Sequence, residues 1–177
     1  MSTIPVCYPI EDISPASSHR RHEDRRAVER TLILIKPDAV QRGLTGEILG
    51  RFEKRGLKVV GAKFMRVERS LAEEHYAEHV GKPFLPGLLD FITSSPLLAM
   101  VLEGERAIEL ARQTMGATDP GKAAPGSIRA DLGLSVGLNL VHGSDGPESA
   151  AREVSLWFDE SELIDYQQAT EQWLIES

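Results

Sequence analysis

One stretch decides the fold: Leu138-Asn139-Leu140-Val141-His142-Gly143-Ser144-Asp145-Gly146-Pro147-Glu148-Ser149. Its first four residues are mostly branched and apolar, which predicts the end of a buried strand. Gly143 and Gly146 permit a sharp turn after that strand. The sequence therefore predicts that His142 lies at the lip of the turn, where its imidazole can meet a ligand.

The residues after the turn predict the start of a helix. Asp145 is the expected N-cap, Pro147 lies in the first turn, and Glu148 follows the cap by three residues. A helix N-terminus presents unpaired N–H groups and partial positive charge, which suits a phosphate. An imidazole with an ordinary pKa of about 6.5 is largely neutral at pH 7. We therefore expect His142 to be a nucleophile toward phosphate; a hydrogen-bonded structural histidine is the alternative.

The composition is that of a globular protein. The chain has 177 residues, of which 41% are hydrophobic and 27% are charged, and its net charge is -7. That length fits one core that buries on the order of 70% of the unfolded surface. The negative charge argues against a dedicated nucleic-acid surface. Cys7 is the single cysteine, which excludes a disulfide framework within one chain.

Neither a signal peptide nor a membrane span is visible, so we expect a cytoplasmic protein. Residues 1–29 differ in composition from the rest, with prolines, serines and mixed charges, and we expect a flexible N-terminal extension. A targeting presequence is less favoured, because such presequences are poor in acids and this segment contains Glu11, Asp12, Glu23, Asp24 and Glu29. Residues 30–177 are expected to form the folded domain.

Hydrophobic periodicity gives the order of the elements. It predicts strands at Thr31–Ile35, 57–67, Pro96–Leu102 and before His142, and helices at 44–55, after the capping box Ser70–Glu73, over Pro83–Ile92, over Glu105–Met115, and after Pro147. In the last helix Ala150, Val154, Trp157 and Phe158 form an apolar face, and Glu153 falls elsewhere. Residues 116–135 predict a long loop. This order predicts an α+β fold: a ferredoxin-like sandwich with a four-stranded antiparallel sheet covered by helices on one face.

Two further patterns are weaker. His75 and His79 have the spacing of a metal pair on a helix, but no third ligand is evident, so we expect solvated or capping roles. Residues 116–123 nearly spell a phosphate-binding loop, but Ala123 replaces the hydroxyl residue and a helix precedes the segment. We interpret that match as chance.

Two motifs resemble the nucleoside diphosphate kinase family. They are Leu34-Ile35-Lys36-Pro37-Asp38-Ala39-Val40-Gln41-Arg42-Gly43 and Asn139-Leu140-Val141-His142-Gly143-Ser144-Asp145. The similarity runs from about Glu29 to the C-terminus. The resemblance implies transfer of the terminal phosphoryl group of a nucleoside triphosphate to a nucleoside diphosphate, by a ping-pong mechanism through a phosphohistidine on His142.

The resemblance also implies roles for the other site residues. Lys36 would contact the phosphates and the ribose, Tyr76 would lie beside His142, and Glu153 would hydrogen-bond the ring nitrogen that does not attack. Nucleotide binding would use Asn139 for the ribose, Arg112, Thr118 and Arg129 for the phosphates, and Phe84 and Val136 for the base. The expected cofactor is Mg²⁺, bound through the nucleotide phosphates rather than by protein ligands. Without the resemblance these residues predict surface, turn or packing roles.

The resemblance implies a homo-oligomer, and the C-terminal segment together with Pro120 favours a hexamer over a tetramer. Family members commonly carry Thr at Ser127, an aromatic residue at Leu85 and Leu102, and Ser-Val at Gly146-Pro147. Pro147 could shift the start of the helix and with it the phosphate site. A nucleotide-binding regulator that acts through the N-terminal extension is the rival hypothesis.

Overall fold

The computed structural model describes residues 28–174. The first 27 residues, which make up most of the expected extension, lie outside this range, as do the last three. The first strand begins at Val28, two residues before the expected start of the domain. The expected roles of the extension and of Ile175 therefore stay predictions.

The sheet has four strands, β1 (Val28–Ile35), β2 (Lys58–Met65), β3 (Leu97–Glu105) and β4 (Val141–Gly143). Their order is β2-β3-β1-β4, and every neighbouring pair is antiparallel. β1 is central and pairs with β3 along its whole length, from Val28 opposite Glu105 to Ile35 opposite Leu98. The predicted four-stranded antiparallel sheet is confirmed.

Helices cover both faces of this sheet, and the expectation that they cover one face was wrong. Leu32 and Leu34 belong to one core cluster and Ile33 and Ile35 to another, and all four are fully buried. Successive residues of a strand point to opposite faces, so a continuous apolar run needs cover on both. The apolar run of β1 therefore already indicated that helices cover both faces of the sheet.

The helices are divided between the two faces. Their bounds are α1 (Pro37–Gln41), α2 (Thr45–Lys54), α3 (Arg69–His75), α4 (Leu85–Thr93), α5 (Ala107–Met115), α6 (Ile128–Leu132) and α7 (Pro147–Trp157), with 3₁₀ turns at Ala77–His79, Pro120–Lys122, Glu160–Glu162 and Glu171–Trp173. One face is covered mainly by α2 and α5, and the other by α3, α4 and α7. The longer helices bury apolar residues at helical spacing, such as Ile48 and Phe52 of α2.

Several predicted boundaries were wrong. The capping box at Ser70 is not formed, because α3 begins at Arg69 after Glu68. The segment 116–135 is not all loop, since it contains α6 and a 3₁₀ turn. β4 covers residues 141–143 rather than 138–141, so His142 lies within the strand. None of the helices within residues 28–174 is long and apolar enough to cross a bilayer.

The chain after α7 returns along β2. The backbone N–H of Ile164 donates to the carbonyl of Val60 at 2.7 Å, and the Tyr166 hydroxyl donates to the carbonyl of Val59 at 3.1 Å. Trp173 is 81% exposed, so this tryptophan is not docked on the described part of its own chain. The apolar end of the described chain is thus only partly covered.

Candidate active site

His142 lies on β4, directly opposite Leu34 of the central strand. Its side chain is 22% exposed, and its Nε2 lies 3.0 Å from Oε2 of Glu153 on α7. The same carboxylate oxygen accepts a 2.8 Å hydrogen bond from the Ser144 hydroxyl, which in turn accepts from the backbone N–H of Leu32 at 3.2 Å. A chain of hydrogen bonds from β1 therefore fixes the carboxylate that holds the imidazole.

The charge of Glu153 decides the tautomer of His142. Burial alone would raise the pKa of Glu153, but hydrogen bonds from His142 and Ser144 lower it below its ordinary value. An ionised carboxylate only accepts hydrogen bonds, so a neutral His142 carries its proton on Nε2 and a lone pair on Nδ1. Nδ1 has no hydrogen-bond partner among residues 28–174.

Glu153 is buried, at 4% exposure, on the face of α7 that meets the sheet, so its expected place away from the buried face was wrong.

Gly143 also differs from expectation, because it lies in β4 and not in a turn. A Cβ there would lie 2.8 Å from the Met115 Cε and 2.9 Å from the Ile33 Cδ1. Gly143 is therefore needed for close packing of α5 on the sheet.

The helix after the site begins one residue later than expected. Gly146 is the N-cap of α7, not Asp145, and Pro147 is its first residue. Proline is favoured there because the first N–H of a helix has no intrahelical acceptor. Pro147 thus does not disturb the helix start. Asp145 instead forms an ion pair with Arg112 of α5.

Lys36 and Asn139 form a buried polar pair beside His142. Lys36 follows β1 directly and is 6% exposed, and its Nζ donates to the Asn139 Oδ1 at 2.5 Å. The Asn139 side-chain amide then donates to the carbonyl of Thr118 at 3.0 Å. Burial lowers the pKa of Lys36 to about 8, against the attraction of Asp38. The ammonium is therefore mostly charged at pH 7 but poised to lose its proton in mild base.

Arg129 of α6 is buried, and its side chain connects backbone segments around Asn139. Its guanidinium donates to the backbone carbonyls of Asn139, Gly116 and Val141, at 3.3, 2.8 and 2.7 Å. Burial lowers its pKa to about 10, so it stays charged at neutral pH. Guanidinium has five N–H donors, and two are not used by these bonds. Arg129 can therefore hold the strand and still meet an anion.

Tyr76 lies beside His142, and three other predicted site residues are exposed. The Tyr76 ring is 7% exposed and lies edge to face with the His142 ring, 6.4 Å between centroids. Phe84, just before α4, and Val136 are each 53% exposed. Thr118 is also exposed, in the loop after α5. These three positions are open to a ligand.

His75 and His79 were expected to have solvated or capping roles, and for His75 this expectation was wrong. His75 points into the core at 2% exposure, while the Nδ1 of His79 accepts from Lys82 at 3.2 Å. Within residues 28–174 one group of three metal-capable side chains exists, namely His75, His142 and Glu153. The Nδ1 of His75 accepts from the Trp157 Nε1–H at 3.1 Å, so its other nitrogen carries the proton. The group is therefore built for hydrogen bonding rather than for a metal.

Sequence reasoning missed three residues of this site. Leu140 adopts a left-handed conformation with φ of 72°, uncommon for a residue other than glycine. Its N–H donates to the Asp38 Oδ2 at 3.0 Å, and its carbonyl accepts from the Lys36 N–H at 2.8 Å. Asp38 and Ser144 lie in the two motifs, and this position was the signal that could have identified them as site residues. No pattern in the sequence marks Leu140.

Comparisons with known proteins agree with this geometry. The family model described as nucleoside diphosphate kinase matches residues 29–163. A nucleoside diphosphate kinase of Carboxydothermus hydrogenoformans is 59% identical over 149 residues, 84% of this chain and 100% of that one. One of Staphylococcus epidermidis is 58% identical with the same coverage.

Solved structures give the same result. A halophilic nucleoside diphosphate kinase from Halobacterium salinarum, in complex with CDP, has a TM-score of 0.82 and 53% identity over 85% of this chain and 100% of that one. A nucleoside diphosphate kinase family protein from Babesia bovis has a TM-score of 0.81 and 45% identity over 83% and 99%. The chain belongs to the nucleoside diphosphate kinase family, and its activity is transfer of the terminal phosphoryl group of a nucleoside triphosphate to a nucleoside diphosphate.

Proposed function

We propose that the Nδ1 of His142 receives the phosphoryl group. The observation that carries this is the asymmetry of the ring: Nε2 is held by buried Glu153, whereas Nδ1 has no partner among residues 28–174 on a side chain that is 22% exposed. A nucleophilic histidine needs one nitrogen fixed as a donor and the other free to attack. His142 meets both requirements.

The transfer is balanced in two steps. The lone pair of Nδ1 attacks the terminal phosphorus, and the bond from phosphorus to the bridging oxygen breaks, which releases the nucleoside diphosphate. The phosphorylated ring keeps its proton on Nε2 and gains positive character, which the Glu153 carboxylate stabilises across 3.0 Å. A terminal phosphate oxygen of the second diphosphate then attacks the same phosphorus, and the histidine leaves as neutral imidazole.

Three cations are proposed to hold the phosphates. Arg129 has two unused N–H groups, Lys36 is charged at neutral pH, and Arg112 is 44% exposed and paired with an exposed carboxylate. An exposed ion pair is weak, so an incoming phosphate can take Arg112 from Asp145. Phosphoryl transfer depends mainly on positioning and charge stabilisation, which such a cluster supplies. Thr118 adds a hydroxyl at the same end.

The ribose and base are proposed to lie beside this cluster. Lys36 and Asn139 would bind the ribose hydroxyls, and half-exposed Phe84 and Val136 would enclose the base. Stacking and apolar contact do not distinguish donor and acceptor patterns on a base edge. Broad tolerance of purines and pyrimidines is therefore expected.

A nucleotide kinase of this family needs a divalent cation, and we propose that Mg²⁺ fills that role through the nucleotide phosphates. The carboxylates of the site already have partners: Asp145 is paired with Arg112, Glu153 with His142, and the Asp38 Oδ2 with the Leu140 N–H, while the Asp38 Oδ1 is buried without a partner among residues 28–174. Mg²⁺ commonly relies on phosphate oxygens and water, and this donor set leaves it those ligands. When bound, the ion neutralises phosphate charge.

The assembly and location stay predictions from the sequence. A homo-oligomer, with a hexamer favoured over a tetramer, is proposed from the family resemblance, and light scattering measures it directly. A cytoplasmic location and a flexible N-terminal extension are likewise proposed from composition, and the extension must end before Val28, where β1 begins.

The test is chemical. Incubation with a triphosphate labelled on its terminal phosphate should yield a phosphoprotein that is labile in acid and stable in alkali. His142→Asn should lose the label and at least about 10³ in turnover, judging by other deleted nucleophiles. His79→Asn, a control that changes a histidine outside the hydrogen bonds of His142, should keep the label and most of the turnover, although its ring contacts Tyr76 and Phe84. Full turnover in the His142 variant would refute the proposal.

A further inference from the structure

A second histidine, His75, lies against the nucleophile. The centroids of the His75 and His142 rings are 4.7 Å apart and the rings are nearly perpendicular, at 81°. Tyr76 and Trp157 surround the same ring at 4.5 and 5.5 Å, also edge to face. Such perpendicular pairs are attractive and restrict the rotation of both rings. His75 therefore belongs to the side chains that pack directly against His142.

Trp157 fixes the tautomer of His75. An indole nitrogen can only donate, so the Nδ1 that accepts its 3.1 Å hydrogen bond must be a lone pair. The single proton of neutral His75 is therefore on Nε2. That nitrogen is buried and has no hydrogen-bond partner among residues 28–174. A buried N–H without an acceptor is destabilising, so its retention beside the nucleophile calls for a reason.

Because His75 is neutral, it does not compete with His142 for the Glu153 carboxylate. One ring nitrogen of each histidine and one carboxylate oxygen of Glu153 lie within 4.8 Å of one another. A charged His75, or one with a lone pair facing the site, would compete for the Glu153 carboxylate or for the His142 proton. Burial lowers the pKa of His75 to about 3, His142, Arg152 and His79 lower it further, and Glu153 opposes them.

We propose that His75 is a positioning residue for His142: its neutral ring, with the proton held on Nε2 by Trp157, sets the rotation of the nucleophilic imidazole and does not compete with His142 for Glu153. This inference rests on the proposed role of His142. It assigns the Trp157–His75 hydrogen bond a part in phosphoryl transfer without contact to substrate.

The first test uses the unaltered protein. Nitrogen-15 NMR of labelled enzyme should show His75 neutral, with its proton on Nε2, at every pH at which the enzyme works. A proton on Nδ1 would overturn the inference. This outcome does not depend on whether His142 is phosphorylated, so it is separable from failure of the proposed function, which the label on His142 decides.

The second test releases the tautomer. Trp157→Phe should mix the His75 tautomers and lower the single-turnover rate of phosphoenzyme formation on the order of ten-fold, about one hydrogen bond, with nucleotide affinity unchanged within about two-fold. Phe158→Leu changes the next residue, which is buried in the same cluster, and should lower the melting temperature without lowering this rate. Equal rates in the two variants, measured well below both melting temperatures, would refute the role.

A second substitution should restore the rate. In the double variant with His75→Phe and Trp157→Phe, the ring that flanks His142 is kept while its mobile proton is gone, so the rate should return to within about three-fold of the unaltered enzyme. If Trp157 only stabilises the fold, the double variant should be no faster than the single one. That result would contradict the inference.

Discussion

Replacing Glu153 with glutamine is expected to slow phosphohistidine formation about 10- to 150-fold. Glu153 is 4% exposed and its Oε2 lies 3.0 Å from the His142 Nε2. A hydrogen bond to a buried charged group is worth about 1.5–3 kcal/mol, and each 1.4 kcal/mol is a factor of ten in rate. The amide can also turn its NH₂ toward Nε2, which would move the imidazole proton to Nδ1 and block attack. This second effect adds to the loss of charge.

The assay is rapid-quench measurement of phosphoenzyme from labelled triphosphate, with nucleotide affinity measured in parallel. Affinity should be nearly unchanged, because Glu153 meets the histidine and Ser144 rather than the nucleotide. Glu148→Gln removes the same charge from an exposed position of α7 and should leave the rate unchanged. A Glu153→Gln rate within two-fold of that control would refute the proposal that this carboxylate orients and stabilises the histidine.

Two further predictions follow from the structure. Gly116→Ala should lower the free energy of unfolding by about 2–4 kcal/mol, because φ there is 82° and a Cβ would lie 2.3 Å from the Ser127 Oγ. Gly46→Ala, in an exposed turn of α2 with open space around it, should raise the free energy of unfolding by about 0.5–1 kcal/mol. Urea unfolding that gave both changes the same sign would contradict this prediction. The value of kcat/KM should fall as pH rises through about 8, because the charged form of Lys36 binds phosphate and its pKa is lowered to about that value. Lys36→Arg should remove this alkaline fall whatever its overall rate, since guanidinium stays charged.

The sheet could be predicted because its signals are local. Four successive apolar residues from Leu32 to Ile35, after the β-branched Thr31, indicated a strand, and that strand is the buried centre of the sheet. The same run indicated cover on both faces, and this inference was not drawn. β4 could not be placed by pattern, because three residues are too few for a periodicity and the apolar residues before them belong to an irregular segment.

That irregular segment shows where tertiary contacts override local preference. Leu140 is leucine in a left-handed conformation, held by hydrogen bonds to Asp38 and Lys36 from more than a hundred residues earlier in the chain. Asp145 looked like a helix cap but is drawn into an ion pair with Arg112 on another helix. In both cases the deciding partner is distant in sequence.

The two sequence motifs predicted only those site residues that lie within them. Lys36, Asn139 and His142 lie in the two motifs, and the structure brings all three to one end of β1 and β4. Glu153 was found through family resemblance, and the helical pattern alone placed it on the wrong face. His75 was noticed for its spacing to His79, whereas its significant partners are Trp157 and His142.

The most direct test is to identify which ring nitrogen carries phosphorus. Phosphoenzyme labelled with nitrogen-15 in histidine, prepared with nucleoside triphosphate and Mg²⁺, distinguishes the two isomers by the coupling of phosphorus to nitrogen in NMR. The hydrogen bond of Nε2 to Glu153 predicts phosphate on Nδ1 of His142, with Nε2 still protonated. Phosphate on Nε2, or on any other residue, would contradict the account.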